Sequence, residues 1–333
     1  MLSQSYIKKA AAKLGTPNAL RGSDMKEKGK KTTGGIIVAA GKQSARREPN
    51  PLLKIGSISV IKRIVLTFQQ VGISPIVVIT GYNAEEIEHD LADYGVIFLR
   101  NENYGSSQMF DSAKIGLGFL QDKSDQVIFN PVTIPMFTPE TIQRMMECGA
   151  AVISPSYHGK SGHPLLISAE LIPRIMQYNG TMGMRGAIDN LGSVRHWMDI
   201  EDEGILHDMD DIERLDQLLK KHNQHILHPF VRISIEKESL FFNSKTKLLL
   251  LLIQHTHSVR SACRHIALSY SKAWKMLNLL EQELGYAVVE RKHGGSNGGK
   301  TYLTQEGAVF LEKFQQFEEN VRQYAKAEFN RLF

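Results

Sequence analysis

The feature that most constrains the fold is an alternation between short apolar runs and stretches with helical hydrophobic spacing. Ile36–Ala40 is an unbroken apolar run that ends at Gly41, as expected for a strand buried on both faces of a parallel sheet. Val60–Val71 has apolar residues at helical spacing, and Pro75–Thr80 is a second apolar run. Because this order repeats every ~10–15 residues as far as Ser154, the sequence predicts crossover units and a mostly parallel α/β sheet.

The alternation stops after a polar helix that the pattern places at Asp211–Lys221. The rest of the chain is mainly helical, with one pair of strands. Its predicted elements are helices at Lys245–His255, Val259–Ile266, Ser271–Leu284 and Gln305–Phe329, and strands at Val288–Arg291 and Lys300–Leu303. We therefore predict a lead at residues 1–33, an α/β domain at 34–222, a linker at 223–229 that follows from His222–His225, and a second domain at 230–333.

Charge divides the chain into nearly the same parts. The 333 residues carry a net charge of +5. Residues 1–35 hold eight Lys or Arg against two Asp or Glu, residues 36–227 hold 17 against 23, and residues 228–333 hold 15 against ten. An acidic body between basic flanks indicates different partners for different parts. The lead, with a short helix predicted at Tyr6–Leu14, is interpreted as a flexible basic segment.

Several classes of protein are excluded by composition. A hydrophobic fraction of 42% excludes bulk disorder. Two cysteines, Cys148 and Cys263, are too few for a disulfide scaffold. The longest apolar run, Leu248–Ile253, is far shorter than the ~20 residues that a membrane helix needs. No apolar segment follows the basic N-terminus, so we expect a cytoplasmic protein without a membrane partner.

Ligands of open α/β sheets bind at the carboxyl ends of the strands. Ala39-Ala40-Gly41 lies at such an end, and the following loop carries Ser44 and Arg46. A glycine there lets the backbone approach a phosphate, which backbone N–H groups can then hold. A structural turn glycine explains the same residues at least as well, so these residues alone do not decide.

The α/β part resembles the MobA-like nucleotidyltransferases. The resemblance is carried by Ile36–Ile61, Thr80–Asn83, Asn101–Tyr104, Asn130–Pro135, Gly162–Pro164 and Asp202–Leu206. It covers roughly residues 34–222 and implies a GT-A (Rossmann-like) fold. It also implies transfer of a nucleoside monophosphate from CTP or GTP to molybdopterin, with magnesium bound and pyrophosphate released.

The resemblance implies a role for particular residues. Those implied for the nucleotide are Ala39, Ala40, Gly41, Ser44, Thr80, Gly81, Asn103 and Ser107; for the pterin substrate, Gly162, His163 and Arg185; for magnesium, Thr133, Asp208 and Asp210; and for catalysis, Arg46, Lys54 and Asp208. Plainer interpretations stay open for some of them. Ser106 or Ser107 can cap a helix, Gly162-His163-Pro164 can be an ordinary tight turn, and Arg185 can be a surface arginine.

The chain departs from the family pattern at four positions. Ala45, Arg47 and Asn50 stand where the family has Arg, Gly and Lys, and Thr133 stands where the family has the Asp that binds magnesium. Transfer of this kind depends on positioning and charge neutralisation around the phosphates. Loss of one such donor can cost ~10²–10³ in rate. We therefore expect a slow or inactive transferase that binds a nucleotide or pterin weakly or serves as a scaffold.

Three helices followed by two strands with a Gly-rich tip predict a winged helix-turn-helix domain. In that geometry the second helix of the pair enters the major groove, and the wing contacts phosphates. The predicted DNA-binding residues are Ser269, Tyr270, Ser271, Lys272 and Lys275 on the helix, and Lys292 and Lys300 at the base of the tip. A protein-binding winged helix is the alternative, which the basic balance of the domain disfavours.

This domain resembles the N-terminal domain of ModE-type regulators, a LysR-like winged helix. Ser269–Trp274, Val288–Arg291 and Leu303–Gly307 carry the resemblance, which implies DNA binding and transcription regulation. In that family the last helix pairs two subunits, so it implies a homodimer. Here that helix has Phe310, Phe314, Phe317 and Val321 at helical spacing. Trp274 is interpreted as a core residue, and Thr304 as a helix cap.

Two functions account for the whole sequence, and a structural partner of a molybdoenzyme stays open as a third class. The first is a molybdenum-cofactor-linked transcriptional regulator whose α/β domain senses a nucleotide or pterin. The second is an active molybdopterin cytidylyl- or guanylyltransferase that also binds DNA. Thr133, Ala45 and Asn50 discriminate them, because restoring Asp, Arg and Lys should create activity only under the first.

Overall fold

The computed structural model describes residues 31–41, 50–225, 227–292 and 300–333. Thr32–Phe333 form one compact unit. Some predictions lie outside the described residues: the helix at Tyr6–Leu14, the loop residues Ser44 and Arg46 with Ala45 and Arg47, and the Gly-rich tip at 293–299. In the described ranges, no helix is both long and apolar enough to cross a membrane.

The α/β part contains ten strands and seven α-helices among the described residues. The strands are β1 (Thr33–Ala39), β2 (Lys54–Ile55), β3 (Ile58–Ser59), β4 (Ile76–Thr80), β5 (Ile97–Arg100), β6 (Gln126–Pro131), β7 (Val152–Tyr157), β8 (Lys160–Ser161), β9 (Leu165–Ser168) and β10 (Arg195–Asp199). The helices are α1 (Val60–Gln70), α2 (Ala84–Asp90), α3 (Met109–Leu120), α4 (Pro139–Cys148), α5 (Ile172–Met176), α6 (Gly183–Asp189) and α7 (Ile212–His225). Short 3₁₀ turns lie at Ala169–Leu171 and Glu203–Ile205.

The main sheet has the order β10-β7-β9-β6-β1-β4-β5, with β8 paired to β7. β1 is parallel to β4 and β6, and β4 is parallel to β5. The predicted α/β fold with a mostly parallel sheet is therefore confirmed. β9 is antiparallel to both neighbours, so its first residue lies at the edge where the parallel strands end. This brings the turn at residues 162–164 to the predicted ligand-binding edge.

The sheet is buried on both faces, which explains its unbroken apolar runs. Ile36 and Val38 point to one face, where they join the core formed with α3, α5 and α6. Ile37 and Ala39 point to the other face, where they join the core formed with α1, α2, α4 and α7. All of β1 is buried, including Thr33, which sequence analysis had assigned to the lead.

The end of α7 corrects one prediction. Residues 222–225 are helical rather than a linker. Arg63 and His222 are each only 1% exposed, and the Arg63 Nη1 group donates to His222 Nδ1 at 3.3 Å and to Asn223 Oδ1 at 2.8 Å. His222 Nε2 donates to the Phe137 carbonyl at 3.2 Å. A buried arginine from another helix thus anchors this polar segment, and local composition gives no sign of it.

The C-terminal part begins with a hairpin that the sequence pattern did not predict. Its elements are β11 (Ile235–Glu236), β12 (Leu240–Phe242), α8 (Ser244–Thr256), α9 (Val259–Arg264), α10 (Tyr270–Leu284), β13 (Val289–Lys292), β14 (Lys300–Leu303) and α11 (Gln305–Leu332). β13 and β14 are antiparallel, with Arg291 opposite Thr301. Thr304 caps α11 by accepting from Gly307 N at 2.9 Å, as predicted. The predicted three helices, strand pair and last helix are all present.

Candidate functional site

Three loops meet at the carboxyl ends of β1, β4 and β5. A Cβ atom on Gly81 would lie 2.7 Å from the Ala40 carbonyl oxygen and 2.7 Å from Tyr104 Cβ. Asn101 N donates to the Thr80 carbonyl at 2.8 Å, which holds the start of the third loop against the end of β4. Gly81 is therefore needed for close packing, and the structure brings Ala40, Gly81 and the Asn101–Tyr104 turn together.

Thr80, which the resemblance implies for the nucleotide, is fully buried and is not accessible to a ligand. Its hydroxyl donates to Glu88 Oε1 at 3.3 Å. Arg100 donates to both oxygens of the same carboxylate at 2.8 Å each. The Glu88 carboxylate raises the pKa of Arg100, first by the hydrogen bond and then by its charge. This network ties β4, β5 and α2 together behind the loops.

Asn101 organises the turn that precedes α3. Its Oδ1 atom accepts from Asn103 N at 3.0 Å, and its Nδ2 atom donates to Ser107 Oγ at 2.8 Å and Ser112 Oγ at 2.9 Å. The alternative that Ser106 or Ser107 caps the helix is wrong. The N-cap is Gln108, whose N–H donates to Asp111 Oδ2 at 2.8 Å. The Asn103 side chain stays exposed and accessible to a ligand.

The residues implied for magnesium lie near the end of β6, which is on the other side of β1 from β4 and β5. Met209 N donates to the Thr133 carbonyl at 2.9 Å, which places Asp208 and Asp210 beside the turn after β6. Both carboxylates are exposed, and Asp208 Oδ1 accepts from Asp210 N at 3.4 Å. Among the described residues, no three His, Cys, Asp or Glu side chains converge to hold a metal.

The donor set present fits magnesium only together with phosphates. Mg²⁺ binds through one or two carboxylates when substrate phosphates and water complete its shell. Asp208 and Asp210 can supply those carboxylates, and Thr133 can supply a neutral hydroxyl. When bound there, the ion would neutralise phosphate charge.

Asn130 Oδ1, fully buried at the end of β6, has no hydrogen-bond partner among the described residues.

We call the group of Thr133, Asp208 and Asp210 the magnesium wall. A buried carboxylate that sequence reasoning missed holds this wall in place. Asp202 is 4% exposed, and its Oδ2 atom accepts from Thr138 N at 2.7 Å and from the hydroxyls of Thr138 and Thr141 at 3.0 and 2.5 Å. Its Oδ1 atom accepts from Gly204 N at 3.1 Å. Asp202 thereby fixes the start of the segment that leads to Met209. Its only signal in the sequence was membership of the Asp202–Leu206 stretch.

Gly162 and His163 pack directly against the same segment. His163 N donates to the Ile205 carbonyl at 3.0 Å, and a Cβ on Gly162 would lie 2.4 Å from that oxygen. The His163 ring is edge-on to Phe129, and its Nδ1 atom is enclosed without a partner among the described residues. Burial lowers the pKa of His163 to about 4, so the imidazole is neutral at pH 7. The turn is thus a tightly packed part of the site edge.

Two predicted residues are not brought to this cluster by any observed contact. Arg185 is 78% exposed on α6 and pairs with Asp189 at 3.9 Å. Lys54 is exposed on β2, where it lines a cavity of about 560 Å³ together with Lys62 and His89. The surface-arginine interpretation therefore fits the Arg185 environment.

The predicted DNA-reading residues form an exposed surface at the start of α10. Those exposed on this helix are Ser269, Tyr270, Ser271, Lys272 and Lys275, and those on the hairpin are Lys292 and Lys300. Ser269 is also the N-cap, since its Oγ atom accepts from Lys272 N at 3.3 Å. Lys292 lies near Glu290 at 3.6 Å, which partly balances its charge.

Two arginines beside this surface were missed by sequence reasoning. The Arg260 guanidinium lies over the Tyr270 ring at 5.3 Å, and the Arg291 guanidinium lies over the Trp274 ring at 3.8 Å. Trp274 is half-buried against the core, in line with its predicted core role. Cation–π pairs join residues that are distant in sequence, so periodicity does not reveal them.

The α/β part is a mostly parallel sheet with loops gathered at its strand ends, and comparison with known proteins identifies its family. Residues 35–195 match the MobA-like NTP transferase domain family and form such a domain. A nucleotidyl transferase from Methanothermobacter is similar at 20% identity, with 57% of this chain and 99% of that chain covered and a TM-score of 0.49. The 4-diphosphocytidyl-2C-methyl-D-erythritol synthase of Anaerococcus prevotii is similar at 15% identity, covering 57% and 97%, with a TM-score of 0.47.

The C-terminal part is similar to curated regulators. The transcriptional regulator ModE of Yersinia pestis is 31% identical over 78 residues, which are 23% of this chain and 30% of that protein. The ModE regulator of Haemophilus influenzae is 32% identical over 82 residues, which are 25% of this chain and 32% of that protein. The chain thus spans about a third of the length of the curated relatives it matches. It joins a MobA-like NTP transferase domain to a part homologous to ModE.

Proposed function

We propose that this chain is a molybdenum-cofactor-linked transcriptional regulator. Its C-terminal part binds DNA as a LysR-like winged helix, and its α/β domain senses a nucleotide or a pterin without rapid turnover. The observation that carries the proposal is the exposed, basic N-terminal face of α10 in a part homologous to ModE. The α/β domain adds a nucleotide-transferase fold in which Thr133 replaces the implied magnesium-binding Asp.

The DNA-binding assignment rests on shape and charge. A helix whose first residues are exposed, polar and basic suits insertion into the major groove. The paired strands β13 and β14 follow it at the position of a wing, with Lys292 and Lys300 at the base of their connection. Neutralisation of phosphates by these lysines supplies the electrostatic part of the affinity.

Fluorescence anisotropy with promoter DNA tests this assignment. Lys272→Ala and Lys275→Ala should each weaken binding at fixed salt, because each removes a phosphate or base contact. Lys160→Ala, a matched change at an exposed lysine of β8, should leave the affinity unchanged. Equal affinities for all three variants and the wild type would refute the assignment of α10 as the reading helix.

The sensing role rests on the composition of the magnesium wall. The turn after β6 supplies a neutral hydroxyl from Thr133 beside Asp208 and Asp210. This arrangement suits a phosphate-bearing ligand that brings its own charge. Isothermal calorimetry with CTP and GTP, with and without magnesium, should detect binding that magnesium strengthens. Heats indistinguishable from buffer dilution for both nucleotides would refute nucleotide sensing.

An active molybdopterin cytidylyl- or guanylyltransferase is the second candidate. It is favoured by the acidic pair Asp208 and Asp210 and by the packing of His163 on Ile205, in the segment that leads to that pair. Pyrophosphate release with CTP or GTP, magnesium and molybdopterin discriminates the two. We expect little release from the wild type and a gain in the Ala45→Arg, Asn50→Lys, Thr133→Asp triple variant, but not in a triple variant with Thr133→Val. Brisk release by the wild type would favour the active enzyme.

We also propose a homodimer paired through α11. Phe310 and Phe314 pack on Phe242 of the same chain, whereas Phe317 is 51% exposed and Tyr324 is 72% exposed. An unpaired aromatic stripe on a helix this long suits a second copy of the chain. Light scattering should report a dimer for the wild type and a monomer for Phe317→Glu. An unchanged mass for Phe317→Glu would contradict pairing through this face.

A further inference from the structure

A histidine is hydrogen-bonded to the backbone of the edge strand β5. β5 is the last strand of the sheet in the part of the chain that the structure describes, and no described strand pairs with its outer side. Phe98 N donates to the His265 carbonyl at 2.8 Å, and His265 Nδ1 donates to the Phe98 carbonyl at 2.9 Å. One residue thus satisfies both backbone groups of an edge-strand residue. His265 follows α9 directly and lies in the turn that leads to α10.

Aromatic and apolar contacts surround this bridge. Phe119 of α3 lies edge-on to His255 at 5.1 Å and near His265 at 6.4 Å. The Lys123 ammonium lies 4.4 Å from the centre of the Phe119 ring. Burial, followed by the charge of Lys123, lowers the pKa of His255. Buried residues of β5 and of α8–α10 belong to one continuous apolar core, so the helix-turn-helix is docked on the sheet.

The same strand leads into the candidate nucleotide turn. Asn101 follows the last residue of β5, and its side chain organises the Asn103–Ser107 turn. Phe98 and Asn101 are three residues apart, a distance of about 10 Å in an extended strand. A ligand bound at this turn and the histidine hydrogen-bonded to Phe98 would therefore contact the same short strand, β5.

We propose that His265 is a positioning residue that couples nucleotide occupancy of the Asn101–Asn103 turn to DNA binding by α10. The bridge to Phe98 is either formed or broken, which gives the two states that coupling requires. A nucleotide that favours one state changes the DNA affinity, and DNA changes the nucleotide affinity by the same factor. This inference rests on the proposed function, because it needs both ligands.

The bridge itself is tested by amide hydrogen exchange in the full chain. His265→Ala removes the Nδ1 donor but keeps the backbone carbonyl that accepts from Phe98 N, whereas His265→Asn also keeps an amide donor near the place of Nδ1. Faster exchange of the Phe98 amide in His265→Ala would therefore report that the side chain holds this turn against β5. An amide on the free edge of a sheet exchanges readily, so protection of Phe98 reports docking. We expect Phe98 exchange to be at least ~10-fold faster in His265→Ala than in the wild type, with His265→Asn close to the wild type. Equal exchange in all three proteins would overturn the role of the His265 side chain in holding the bridge.

The coupling is tested by DNA anisotropy titrations with and without CTP or GTP in the presence of magnesium. The wild type and His265→Asn should show a DNA affinity that nucleotide changes by ~5-fold or more, and His265→Ala should show no change. The same nucleotide effect in the wild type and His265→Ala, or no effect in the wild type, would overturn the coupling. Loss of DNA binding or nucleotide binding in the separate titrations would instead refute the proposed function.

Discussion

Asp202 offers a quantitative test of how the magnesium wall is held. Its carboxylate accepts backbone N–H bonds from Thr138 and Gly204 and hydroxyl bonds from Thr138 and Thr141, all in a buried setting. Each buried N–H left without an acceptor costs ~1–3 kcal/mol. Asp202→Ala strands both N–H groups and should lower the free energy of unfolding by about 2–6 kcal/mol.

The amide variant should have a smaller effect. In Asp202→Asn the carbonyl oxygen can still accept from Gly204 N, while the new NH₂ group faces the N–H of Thr138, and the threonine hydroxyls can rotate to accept. One donor is then stranded, so the loss should be about 1–3 kcal/mol. Magnesium-dependent nucleotide binding should weaken in both variants, because this residue fixes the start of the segment carrying Asp208.

Urea unfolding followed by fluorescence measures these losses. Glu201→Gln, a neighbouring exposed carboxylate, is the matched control and should stay within ~0.5 kcal/mol of the wild type. A loss below about 1 kcal/mol for Asp202→Ala, or a greater loss for the amide variant than for alanine, would refute this hydrogen-bond account.

Three further predictions concern other parts of the fold. Gly162→Ala places a Cβ 2.4 Å from the Ile205 carbonyl and should destabilise by ~1–3 kcal/mol in thermal unfolding, whereas Gly118→Ala, with 3.6 Å to its nearest atom, should not destabilise. His163 has a folded pKa of about 4 against 6.5 in the unfolded chain, so its stabilising contribution is present above pH 6.5 and is lost as the pH falls towards 4. The free energy of unfolding, measured with urea, should therefore fall by about 2 kcal/mol between pH 7.5 and pH 5. His163→Gln should not show this decrease. Ser269→Ala should cost ~0.5–2 kcal/mol of stability by loss of the α10 cap, and an unchanged melting temperature would contradict that role.

The strands that periodicity predicts are those with unbroken apolar runs. β1, β4 and β6 are buried on both faces, and their burial leaves a clear pattern. β9 has only four residues, and β10 reads Arg-His-Trp-Met-Asp with exposed positions, so neither has a periodic signal. Tertiary pairing, rather than local propensity, makes these segments strands.

The candidate site was predictable where it lies at strand ends and not where it depends on distant partners. Gly81 and Asn103 follow strands, so the fold class alone placed them at the ligand edge. The bond from Met209 N to Thr133, the anchoring by Asp202 and the bridge from His265 to β5 each join segments far apart in the chain. Such contacts leave no mark in local spacing, and only the packed structure reveals them.

The acidic and basic parts of the sequence correspond to different parts of the structure. The acidic middle is the α/β body. The C-terminal basic part presents its exposed lysines at the start of α10 and on the hairpin. Under the proposed function, the packing of α9 and α10 on the acidic body would bring the proposed DNA-reading helix next to the domain proposed to bind a ligand.

The central claim, DNA binding through the C-terminal part, is tested most directly by the salt dependence of promoter binding. If Lys272, Lys275, Lys292 and Lys300 of two paired chains each neutralise a phosphate, the plot of log K against log salt should have a slope of about −7. The double variant Lys272→Ala, Lys275→Ala should reduce that slope by about 3–4. An affinity that does not vary with salt, or a slope unchanged in the double variant, would contradict the claim.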